Sequence, residues 1–99
     1  MLIDASFRTG SQDYQLTEIH HLGEHTLRVD IRRDFYPQQS FARVQILSAT
    51  KEWTTLATAP VDQWHDRSPG PSRLGGIPLI VRCLAMTLRE RAERILTVT

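Results

Sequence analysis

Between residues 27 and 32 the chain alternates without a fault: Leu27, Val29 and Ile31 are apolar, and Arg28, Asp30 and Arg32 between them are charged. A period of two places the sets on opposite faces of a β-strand, one toward a core and one toward solvent. The alternation returns over 41–48, where Ala42, Val44 and Ile46 oppose Phe41, Arg43, Gln45 and Leu47. Upstream, 15–22 sets Leu16 and Leu22 against Thr17, Ile19 and His21. Gly23-Glu24 supplies a tight turn between the first two segments, with glycine suited to a first central position of positive φ. Residues 35–38 (Phe-Tyr-Pro-Gln) read as a turn. The threonine-rich 53–59 reads as a further strand, and 1–7 as a short edge strand.

After residue 77 the period lengthens to that of a helix. Ile77, Val81, Leu84, Leu88 and Ile95 form one stripe, with Pro78 suited to the first helical turn. Leu79, Cys83 and Met86 fall on roughly the opposite side, so the first turns are apolar on two sides and need two covers. Arg89, Glu90, Arg91, Glu93 and Arg94 make the second half a solvated face. The preceding 60–76 is rich in proline and glycine and reads as a long loop, with a short helical turn around 61–65. The expected fold is α+β: an antiparallel β-meander of three to four strands packed on one C-terminal α-helix. The whole chain is expected to be one domain, strand-rich over 1–59, loop over 60–76 and helix over 77–96.

Composition narrows the classes without choosing among them. Ninety-nine residues fit one hydrophobic core. A net charge of +1 gives no global field to mark a nucleic-acid or membrane-surface binder. The single Cys83 excludes an intrachain disulfide and a multi-cysteine zinc site. The longest apolar run, 77–81, is too short to span a bilayer, and the N-terminus lacks the apolar core of a secretory signal, so a cytoplasmic location is expected. Of the 12 basic residues only Lys51 is lysine; arginine is the better bidentate partner for phosphate and carboxylate, although a GC-rich coding sequence gives the same bias.

Five groups of residues carry candidate chemistry. His20 and His25 become cross-strand neighbours, close enough to share a metal, if the turn is Leu22-Gly23, whereas a Gly23-Glu24 turn sets His20 opposite Leu27 and separates them. Trp64-His65-Asp66 places an imidazole beside a carboxylate, with Ser68 or Ser72 as the local nucleophile candidate, but adjacent side chains on an extended chain diverge and no nucleophile-elbow motif is present. Trp64 reads better as a packing or interface anchor. The glycine-containing 70–76 precedes a helix start but ends Gly-Gly-Ile-Pro, without the Lys-Ser/Thr of a phosphate-binding loop. Arg28, Arg32 and Arg43 project from the outer sheet face, with Arg33 at its end, as a candidate contact for a nucleic-acid backbone; Phe41 alone is not a stacking platform. Cys83 reads as a small buried or interfacial hydrophobe.

No catalytic, metal or cofactor motif stands above background. The expectation is a non-enzymatic protein–protein interaction or accessory module without a cofactor. It associates with itself as a homodimer, or with another protein, through Leu79, Cys83, Met86 and Trp64, and not with a membrane. The alternative is a nucleic-acid-binding protein using Arg28, Arg32 and Arg43.

Overall fold

The computed structural model describes residues 1–10, 13–65 and 78–98. Five strands form one antiparallel meander: β1 (Leu2–Thr9), β2 (Tyr14–Leu22), β3 (His25–Arg33), β4 (Phe41–Leu47) and β5 (Trp53–Thr58), each paired with its sequence neighbours in the order 1-2-3-4-5. A 3-10 turn (Pro37–Gln39) joins β3 to β4. A one-turn helix α1 (Val61–Trp64) follows β5, and α2 (Leu79–Val98) lies across β3, β4 and β5. The α+β meander with one long C-terminal helix is therefore as expected, but there are five strands, not three to four. The edge strand read over 1–7 is present as β1, eight residues long, and brings the count to five. Its side chains are exposed on both faces except for half-buried Phe7, so the burial asymmetry that marks β3 and β4 in the sequence is absent from it.

The β2–β3 turn settles the register of the sheet. Leu22 lies opposite His25, with Gly23-Glu24 between them, and Gly23 has φ +60°. A positive φ at the first central position alone is the II′ pattern, whose twist matches the flanking strands. Leu16 then faces Ile31, and Leu27, Val29 and Ile31 face Ile46, Val44 and Ala42 on β4. These rows are the sheet's half of the core, completed by Tyr14, Ala57 and Trp64.

The helix supplies the other half by a stripe that differs from the expected one. Val81, Ala85, Leu88 and Ala92 are buried, spaced 4, 3 and 4 residues apart, with Ile80, Leu84 and Leu96 packed beside them. Val81, Leu84 and Leu88 belong to the expected seam, with Leu84 only partly buried against the core, whereas Ile95 is 39% exposed. Ile77 lies outside the described residues. Alanines at 85 and 92 let the helix lie close to the sheet, where larger side chains would hold it off.

Candidate functional site

The polar face of the sheet, turned away from α2, is a connected network. Asp30 is 6% exposed although it belongs to the polar set of β3. Its Oδ1 accepts from Gln15 Nε2 (2.9 Å) and Thr17 Oγ1 (3.2 Å), and its Oδ2 from Arg43 (3.3 Å). Gln15 in turn accepts from Arg8 at 3.3 Å, so one chain of hydrogen bonds crosses β1 to β4. A second node joins Arg28, which donates Nε and Nη2 to Gln45 Oε1 (2.9 and 2.6 Å), with Gln45 Nε2 donating to Thr55 (3.4 Å).

Arg28, Arg32 and Arg43 thus share the outer face, as the strand parity requires. Arg33 does not: it lies opposite Tyr14, on the parity of Ile31 and the helix side. The Arg28 guanidinium stacks 4.4 Å from the Trp53 ring centroid, and that of Arg43 stacks 4.4 Å from Phe41. Such stacks hold arginines flat over aromatic surface. Trp53 joins the face because β5 pairs Trp53 with Leu47 after a register shift beside Val44 and Gln45. That irregularity depends on strand pairing, and the sequence pattern of 53–59 gives no sign of it. Arg32 pairs with Asp34 at 3.5 Å, and with Arg8 it borders a shallow cleft of about 300 Å³ that also includes Thr9, Gly10, Asp13 and Gln15.

On the other side, α2 turns Leu79, Cys83 and Met86 outward. Leu79 is 76% and Met86 48% exposed, and Cys83 is exposed. Arg82, Ala85, Met86 and Arg89 form one wall of a groove of about 370 Å³, facing Leu2, Ala5 and Glu18 on β1 and β2. On the sheet edge Leu2 and Ile3 are also exposed, and Leu2 meets Met86 across this groove, between the charged Glu18, Arg82 and Arg89. Trp64, grouped with this stripe from the sequence, belongs elsewhere. It is buried in the core, and its indole N–H donates to the Ala59 carbonyl at 3.4 Å. Its place on α1, directly after β5, turns it under the sheet and removes it from the contact surface. An exposed aromatic pair not singled out in the sequence, Phe35 and Tyr36, packs edge to face at 5.0 Å in the β3–β4 connection.

The histidines do not converge. With the Gly23-Glu24 turn, His20 faces Leu27 and its Nε2 is 3.0 Å from Glu18, whereas His25 is exposed beside the turn. Among the described residues no three metal-ligating side chains gather. His65 is buried, and its Nε2 donates to the Asp34 carbonyl at 2.7 Å, tying α1 to the end of β3. The neighbouring Ser40 hydroxyl accepts from the Asp34 N–H (2.8 Å) and reaches the Tyr36 carbonyl (3.2 Å), so it closes a turn. Asp66, Ser68, Ser72 and the loop 70–76 lie outside the described residues.

Burial pushes the Tyr14 phenol up to about 12, with Arg33 opposite it pulling the other way. No family model matches this chain, and no curated protein or solved structure is significantly similar to it.

Proposed function

We propose that this chain is a non-enzymatic interaction module that forms a homodimer through α2. The observation that carries this reading is the outward stripe of Leu79, Cys83 and Met86, which is exposed among the described residues while α2 buries the opposite stripe against β3, β4 and β5. An exposed apolar stripe on a helix that already buries its other side is the kind of surface that marks association. Sedimentation velocity over a range of concentrations tests it. The wild-type protein associates, and the Leu79→Glu/Met86→Glu variant, which alters only exposed positions, loses mass at equal concentration. Identical sedimentation of the two proteins removes the α2 contact.

A second reading is favoured by the outer face, where four arginines (Arg8, Arg28, Arg32, Arg43) share one surface and two of them stack on Trp53 and Phe41. On this reading the face binds a nucleic-acid backbone, and binding falls steeply with salt as counterions are released. Fluorescence anisotropy with a labelled single strand tests it: Arg28→Ala and Arg32→Ala each lower the salt slope by roughly one. An absence of binding at low salt removes it. The internal commitments of Arg28 to Gln45 and of Arg43 to Asp30 make this the weaker of the two.

A further inference from the structure

The two edges of the sheet are treated differently. On β5, Arg91 of α2 donates to the Thr58 carbonyl at 3.0 Å, a register shift interrupts the pairing with β4, and Pro60 follows closely. These are the usual means of blunting an edge. On β1, residues 4–9 pair in regular register with β2, and no described element pairs with the opposite side of the strand. Every second residue there turns its N–H and C=O outward, a template for another strand.

We propose that the β1 edge is a second self-association surface, pairing with β1 of another copy in an antiparallel register centred on Ser6. This rests on the reading of the chain as a self-associating module, but it uses the backbone edge of β1 and not the outward stripe of α2. In that register Asp4 lies opposite Arg8 of the other copy, and Arg8 opposite its Asp4. Ala5 lies opposite Phe7, and Phe7 opposite Ala5. Asp4, Ser6 and Arg8 occupy the outer face, and Ala5 and Phe7 the helix face, because they pair with Ile19, Thr17, Gln15, Glu18 and Leu16 respectively. The pairing therefore sets opposite charges together on one face, and a large ring beside a small side chain on the other. Directly opposed side chains are close enough for both to count.

The neighbouring registers are worse. Centring on Asp4 or on Arg8 sets like charges face to face, and centring on Ala5 or Phe7 leaves both ion pairs unmade. Intermediate registers oppose outward-facing backbone groups to inward-facing ones. Asp4 forms no ion pair within the chain among the described residues, so its carboxylate is available. The irregularity between Leu2 and Asp4 breaks the regular spacing of β1 just outside this complementary segment.

The test uses sedimentation velocity in the Leu79→Glu/Met86→Glu background, where the α2 contact is absent. That protein still dimerises. Adding Asp4→Arg opposes two guanidinium pairs and raises the dissociation constant roughly tenfold or more. Adding Arg8→Asp as well restores the background value, because the charges are exchanged and not lost. A background protein that is monomeric up to about 100 μM, or one whose dimer is indifferent to Asp4→Arg, overturns the β1 contact. Equal masses for background and wild type overturn only the α2 contact.

Discussion

Tyr14 shows how one residue ties the sheet to pH. Its side chain is buried beside Phe7, ring centroids 5.8 Å apart, and its hydroxyl has no hydrogen-bond partner among the described residues. Ionising it means placing a phenolate in a desolvated site, and burial raises its pKa from 10.0 to about 12. In the unfolded chain the phenol loses its proton near 10, while in the folded chain it keeps it. The unfolded state therefore binds fewer protons between these values, and stability declines with rising pH across that window. Chemical denaturation from pH 9 to about 12 is expected to show this decline, and Tyr14→Phe to flatten it, with little change in stability at neutral pH because the hydroxyl makes no bond to lose. A Tyr14→Phe profile as steep as the wild type's would place the linkage elsewhere.

At the scale of elements, the helix stands close to the sheet because Ala85 and Ala92 face it. Ala92 is fully buried in the stripe with Val81 and Leu88, so enlarging it must displace either the helix or the strands beneath. Ala92→Leu is expected to destabilise by about 1–3 kcal/mol through overpacking, whereas Ile95→Ala, at an exposed position, is expected to cost far less. Thermal or urea unfolding of the two variants checks the order, and equal costs would mean that the stripe is misplaced. The same alanines explain why the seam was only half legible. A hydrophobic-period reading weights Ile95 over Ala92, because alanine carries little apolar signal, although close packing selects it. Strands β3 and β4 were legible because each buries one face and alternates cleanly. Strand β1 carries no such asymmetry. The β2–β3 turn was legible from Gly23, but whether His20 meets His25 depended on its centre, which only the register of Leu22 opposite His25 decides.

At the scale of the molecule, the two faces differ in what the sequence discloses. Parity alone put Arg28, Arg32 and Arg43 on one face, which the strand register bears out. The burial of Asp30 beneath Gln15, Thr17 and Arg43, and the arrival of Trp53 beside Arg28, depend on which strands lie side by side and in what register. No local pattern encodes that. Trp64 was ambiguous for a related reason: an indole after a strand reads alike as a core plug or a surface anchor until the path of the chain is known. The outer face of the sheet is occupied by its own network and the β5 edge is blunted, whereas no described element covers the β1 edge or the outward α2 stripe. Both open surfaces belong to the reading of the chain as a module that associates with itself.

The most direct test of that reading is sedimentation velocity of the wild-type protein from low micromolar to about 100 μM. A self-associating module gives a weight-average mass that rises above the monomer with concentration and falls when Leu79 and Met86 are changed to glutamate. A mass that stays at the monomer value across the whole range excludes self-association through either surface.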